Sequence, residues 1–212
     1  MNLIIQPMSR FLYHTDGLIL GSQPVGEASR FFRIFTERLG RVTALAAGIR
    51  ELKSKLRHSL IELSLVKISL VRGRGGWRIV SAEPIQSRFD LEDLKKVEPF
   101  KTDSKKLVAT ARFLNLLSRL VVDEGRRAGV WREAASAYEF LMLENFSPET
   151  LANFELLAAL RLLAALGYCE LPAPLRPLAP VRSWQLAEIE ALTPYRQTAL
   201  VIIEQALYHS HL

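Results

Sequence analysis

Cysteine is almost absent from this chain: among 212 residues there is only Cys169. That excludes an intramolecular disulfide and a cysteine-rich zinc site, and it fits a reducing cytoplasm, the location expected for the protein. Cys169 lies between Tyr168 and Glu170 with no cation beside it in the sequence, so it reads as an inert thiol rather than a nucleophile. Histidine is scarce as well. His14, His58, His209 and His211 lack metal-ligand spacing within one helical turn, so neither a metal nor a cofactor is expected. Long apolar runs are missing: no uncharged stretch long enough to span a bilayer occurs. The opening MNLIIQPMSRFLYHT has three consecutive apolar residues before Gln6 and Pro7, too few for a signal-peptide core. There is no Gly-x-Ser-x-Gly elbow, Walker loop or Asp-x-Asp pair. The GRGG at 73–76 lacks the Lys-Ser/Thr that a phosphate loop requires. Nothing here points to an enzyme.

What the chain does have is apolar bulk and positive charge. Hydrophobic residues make up 49% and charged residues 24%, a globular balance. The formal net charge is +6, which favours a polyanionic partner. That charge is concentrated: 14 Lys and Arg face 7 Asp and Glu between Met1 and Asp90, against 14 and 15 from Leu91 to Leu212.

The residue pattern changes at the same place. GLILGSQ (17–23), FFRIFT (31–36), RVTALAAG (41–48), IELSLVKISLV (61–71) and WRIVSAEPI (77–85) read as five strands separated by glycine or polar breaks. In the fourth, Ile61, Leu63 and Leu65 alternate with Glu62 and Ser64. After residue 90 the apolar spacing becomes helical: Leu107, Ala111, Leu114, Leu117 and Val121 recur at three- and four-residue steps. A further helix opens at Ser147-Pro148-Glu149 and stops at Gly167, with Leu156, Leu160, Leu163 and Leu166 as a core stripe. LPAPLRPLAP (171–180) holds four prolines and cannot continue it. The expected architecture is α+β with two domains: a five-stranded barrel of the OB type over 1–88, with a short N-terminal extension, and an all-α domain over 89–212. OB barrels bind ligands on strands 2 and 3 and in the loops joining strands 1 to 2 and 4 to 5. Those elements carry Arg30, Arg33 and Arg41, and also Arg72, Arg74 and Trp77 of the RGRGGW turn. The intervening segment 49–60 adds Arg50, Lys53, Lys55 and Arg57.

The first half resembles the N-terminal domain of the RecO family of bacterial recombination mediators. The likeness rests on Gly26-Glu27, Phe35-Thr36 followed by Gly40, the set Gly48, Arg50, Lys53, Ser54 and Leu56, and a Gly-rich turn before Ala82-Glu83. LRLLAALGY (160–168) and the closing ALYHSHL resemble segments of the family's helical half. Where many relatives carry a four-cysteine zinc module, this chain has CELPAPLRPLAP, so the zinc module is absent. The resemblance implies a non-enzymatic protein that binds single- and double-stranded DNA, anneals complementary strands and helps load RecA. It implies RecR and the C-terminal tail of single-stranded-DNA-binding protein as partners, and association with the nucleoid.

In the proposed mechanism, barrel cations neutralise phosphates and leave the bases free to pair. The expected DNA-binding residues are therefore Arg30, Arg33, Arg41, Arg50, Lys53, Lys55, Arg57, Arg72 and Arg74, with Trp77 as a stacking platform. The competing reading is a protein scaffold whose basic barrel takes an acidic peptide. For each residue there is also a plainer role: solvated arginines on a hairpin, a tryptophan in the core, and Arg33 paired with Glu37 or Glu62.

Overall fold

The computed structural model describes residues 11–85, 104–179 and 184–209. The expected domain boundary at 88/89, residues 1–10 of the N-terminal extension and His211 lie outside them. The described chain falls into two compact units, one formed by 11–36 with 42–85 and the other by 37–41 with 104–179 and 184–209.

The first unit is a closed barrel of five strands: β1 (Leu12–Val25), β2 (Ser29–Thr36), β3 (Gly40–Ala46), β4 (Leu65–Gly73) and β5 (Gly76–Pro84). Around the barrel they run β1-β2-β3-β5-β4, the OB arrangement, with β3 and β5 parallel through Ala44↔Trp77 and Leu45↔Arg78. Closure depends on the length of β1. Its first half pairs with β4 from Leu12↔Val71 to Leu18↔Leu65. Its second half pairs with β2 from Gly17↔Thr36 to Val25↔Ser29, with a register shift between Ile19 and Gly21. Such a shift bends a strand, which lets one strand serve two neighbours. The period-two pattern then fills the interior: Val42, Ala44 and Ala46 of β3 are buried while Thr43 is exposed.

Gly17 sits in the overlap where β1 pairs with both β2 and β4. A Cβ there would stand 2.7 Å from Ile34 Cγ2 and 3.4 Å from Ile68 Cδ1. Gly17→Val is therefore expected to lower stability in urea denaturation by about 1–3 kcal/mol, the cost of overpacking a filled interior. Wild-type stability in that variant would mean that the barrel wall yields.

The structure corrects the expected strand boundaries, most of all in two places: β1 starts at Leu12, not Gly17, and β4 begins at Leu65, not Ile61. Segment 61–64 is a turn in which Leu63 adopts φ 65°, the one non-glycine residue with positive φ among those described. The turn is tied to β1 by Leu63 N–H to Ile19 O at 3.0 Å and Ile19 N–H to Ser64 O at 2.9 Å. Alternation of apolar and polar residues satisfies a strand pattern whether or not the backbone is extended, and Ile61 is in fact exposed. The gap expected between strands ending at Val71 and starting at Trp77 also narrows: the strands pair up to Gly73↔Gly76, which leaves Arg74 and Gly75 as a two-residue hairpin turn. Segment 49–60 is irregular apart from a 3₁₀ turn at Lys55–His58.

The second unit contains α1 (Ser104–Leu120), α2 (Ala128–Leu143), α3 (Pro148–Leu166), the short α4 (Leu186–Glu190) and α5 (Arg196–His209). Helix α3 is its axis: every residue from Leu157 to Leu163 is buried. Its ends follow the sequence signals. Ser147 Oγ accepts the Thr150 N–H at 3.1 Å, and Gly167 closes the helix at φ 80°. The proline stretch forms a 3₁₀ turn, Ala173–Leu178, that buries Leu175 and Leu178. Of the expected stripe on α3, Leu160 and Leu163 are buried, while Leu156 and Leu166 are only half-buried.

One feature of α3 opposes its apolar character. Arg161 is fully buried. Its Nε donates to Leu178 O at 2.9 Å, its Nη2 to Glu188 Oε2 at 2.8 Å, and its Nη1 lies 3.9 Å from Glu133 Oε1. The guanidinium stacks 4.2 Å over the Trp184 ring. Thus α2, α3, α4 and the 3₁₀ turn converge on one cation. Burial pushes the Glu133 carboxyl up to about 7, against the pull of Arg161 and with some help from Glu188.

Candidate functional site

On the barrel, β2 and segment 49–60 create a concave surface. Ser29 Oγ accepts the Gly48 N–H at 3.2 Å, and Ala28 O accepts the Arg50 N–H at 2.9 Å. These bonds fasten the start of the basic segment to the β1–β2 turn. The chain then folds through short local bonds, Ser54 N–H to Glu51 O at 3.1 Å and Arg57 N–H to Ser54 O at 3.4 Å. This returns Arg57 toward Arg50. The resulting groove of about 460 Å³ is lined by Ser22, Arg30, Phe32, Ile49, Arg50, Arg57, Leu60 and Glu62.

The groove combines two kinds of chemistry. Phe32, Ile49 and Leu60 are buried apolar residues beneath it. Three of its lining residues, Arg30, Arg50 and Arg57, are basic, and Glu62 is its one acid. Glu62 Oε1 accepts from Ser22 Oγ at 2.5 Å and lies 3.5 Å from Arg30 Nη2. Arg50 and Arg57 are exposed. Arginine forks suit phosphate and carboxylate groups, which they can grip through two parallel bonds.

The expected site residues therefore divide. Arg30, Arg50 and Arg57 come together in the groove. Lys53 and Lys55 are exposed on the same segment but do not line it. Leu52, just before Lys53, is 90% exposed, an apolar tip among cations that an argument from charge alone overlooks. Arg33 is exposed on β2, its guanidinium against Gly21, and Glu62 pairs with Arg30 rather than with it. Arg41 is drawn elsewhere: its Nη1 donates to Ser118 O at 3.1 Å, and it groups with the second unit.

Arg72 and Arg74 lie on the β4–β5 hairpin, outside the groove. The stacking role expected of Trp77 does not fit its surroundings. The ring is buried, meets Tyr13 edge-on at 5.2 Å, and carries the Arg72 guanidinium 5.2 Å from its centroid. Trp77 is a barrel side chain because it alternates inward on β5, which leaves no open face for a base. The hairpin instead continues to Arg78, exposed on β5, a cation that the sequence reading missed because it sits inside an apolar run.

Ser22, Phe32, Ile49, Leu60 and Glu62 were also missed as groove residues. Only Glu62 carried a signal, an isolated acid in a basic half. Among the described residues no cluster of His, Cys, Asp and Glu could hold a metal. His14 bonds Ser69 Oγ at 2.9 Å. Burial pushes the Cys169 thiol up, which agrees with an unreactive side chain.

Comparison with known proteins places this geometry in context. Residues 8–88 match the model of the family described as recombination protein O, N terminal. The chain is 28% identical over 158 residues to DNA repair protein RecO of Clostridium perfringens, an alignment covering 74% of this chain and 59% of that one. It is 30% identical over 146 residues to the RecO of Rubrobacter xylanophilus, covering 65% and 59%. To the RecO of Heliobacterium modesticaldum it is 33% identical over 76 residues, covering 36% and 28%. The chain thus spans less than two thirds of the length of these curated relatives.

Proposed function

Since the chain belongs to the RecO family through its barrel, we propose that it is a DNA-binding recombination mediator without catalytic chemistry, acting in DNA repair. It binds single- and double-stranded DNA, anneals complementary strands and assists RecA loading. The observation that carries this reading is the meeting of Arg30, Arg50 and Arg57 in one groove of the barrel. Cations there neutralise backbone phosphates and release counterions, which favours binding without reading bases. Lys53 and Lys55 extend the positive surface from the same segment. The Arg72–Arg74 hairpin offers a second basic region on the same unit. Two basic regions support the holding of two strands whose mutual repulsion would otherwise oppose pairing.

Its partners in this reading are RecR and the C-terminal tail of single-stranded-DNA-binding protein. A groove of about 410 Å³ in the helical unit supports docking of the tail. Phe113 and Leu116 of α1, Leu156 of α3, and Leu200 and Ile203 of α5 supply apolar lining; beside them are Arg112, 3.5 Å from Glu155 Oε1, and Arg196, which donates to Asn153 Oδ1. A C-terminal tail ends in a carboxylate, which such arginines can receive.

The test is titration of labelled single-stranded oligonucleotides at two salt concentrations, followed by strand annealing with and without single-stranded-DNA-binding protein. Binding that weakens steeply with salt, together with accelerated annealing, supports the proposal. Capture of acidic peptides with no DNA binding at either salt concentration would replace it with the scaffold reading.

A further inference from the structure

We propose that the Glu62 carboxylate is an internal competitor, occupying in the Arg30 groove the position that a phosphate oxygen of DNA takes on binding. This rests on the DNA-binding reading and adds a residue that lowers affinity to those that raise it.

Three observations lead to it. The carboxylate oxygen Oε1 already has the surroundings of a bound anion, with the Ser22 hydroxyl at 2.5 Å and Arg30 Nη2 at 3.5 Å, in a groove that Arg50 and Arg57 also line. The Arg30 fork is only half used. Its Nε is buried with no hydrogen-bond partner among the described residues, while the carboxylate reaches Nη2 alone. A phosphate group, not tethered to this turn as the Glu62 carboxylate is, can bond Nε and Nη2 together. The ligand that satisfies this arginine is therefore better matched than the side chain now facing it.

The third observation is the backbone. Leu63, next to Glu62, is held at φ 65° by its bonds with Ile19. Leucine is disfavoured there, and strain of this kind collects where the surrounding structure imposes a particular placement. Here that placement directs Glu62 to the groove. A carboxylate merely balancing surface charge would need no such turn.

Entry of a phosphate then displaces Glu62 from Arg30 and Ser22 toward solvent. The exchange makes binding weaker and more easily reversed than three free arginines would, which suits a protein that must release strands after pairing them.

The experiment measures salt-dependent binding of the full chain to single-stranded oligonucleotides prepared with and without a 5′-phosphate. Glu62→Gln keeps the shape and removes the charge. It is expected to bind about three- to tenfold more tightly. The slope of log affinity against log salt steepens by about 0.7, the increment for one more phosphate contact on a single strand. Replacing Arg30 as well, in Arg30→Gln with Glu62→Gln, cancels the gain. A gain with both oligonucleotides identifies the ligand as a backbone phosphate, and a gain only with the phosphorylated one identifies a strand end. Unchanged or weaker binding by Glu62→Gln, with its thermal unfolding intact, overturns the inference. If Glu62→Gln folds poorly, Ser22→Ala, which loosens the carboxylate, must show a smaller gain. Absence of DNA binding by the wild-type chain would instead sink the functional proposal itself.

Discussion

Replacing Arg161 with alanine is expected to destabilise the helical unit by about 3–5 kcal/mol, the cost of leaving the buried Glu133 and the half-buried Glu188 without their cation. Arg161 is fully buried and meets Glu188 Oε2 at 2.8 Å, Glu133 Oε1 at 3.9 Å and Leu178 O at 2.9 Å. Removing it leaves Glu133 without a counter-charge and frees the Trp184 face. Urea denaturation followed by helical circular dichroism measures the loss. A cost below about 1 kcal/mol would mean that the cluster is hydrated and carries little of the packing.

The same cluster makes stability depend on pH in a stated direction. The Glu133 carboxyl is raised from 4.5 to about 7 in the folded chain, so the native state holds the proton more tightly than the unfolded one. Its contribution is greatest below 4.5 and is lost as pH rises toward 7, after which it levels off. Glu133→Gln removes this titration. Between pH 5.5 and 8 the wild type should therefore lose about 2 kcal/mol more than the variant. Parallel curves for the two would show that the carboxyl titrates normally.

The second large effect concerns DNA. Arg50→Ala with Arg57→Ala removes two of the three groove cations without touching the barrel core, since both side chains are exposed. Affinity for single strands is expected to fall on the order of 10- to 100-fold. The salt slope should shrink by about 1.4, with all sequences weakened alike because phosphate contacts carry no base information. Lys53→Ala with Lys55→Ala, on the same segment but outside the groove, should cost much less. Equal losses from the two pairs would show that diffuse charge matters and that the groove does not.

Five strands, the switch to helices, the cap at Ser147 and the stop at Gly167 were legible because each follows from local chemistry: side-chain alternation, apolar spacing, and the backbone freedom of serine and glycine at helix ends. The start of β4 was not. Residues 61–64 alternate like a strand, yet hydrogen bonds to Ile19, far away in the sequence, turn the backbone there. Trp77 misled for a related reason. A tryptophan opening a strand fits the core as well as a stacking platform, and only the register of β5 against β3 and β4 shows that it points inward.

By itself, then, the sequence determined the class of the fold, the concentration of positive charge in the first half and the poverty of catalytic groups, since composition and short-range periodicity are properties of neighbouring residues. Tertiary structure decided which cations act together. Arg30, Arg50 and Arg57 meet because a turn at Ala28 and a 3₁₀ turn fold them onto one groove, whereas Arg41 is bonded at Ser118. Convergence of side chains distant in sequence depends on chain closure and pairing register, and no local pattern encodes either.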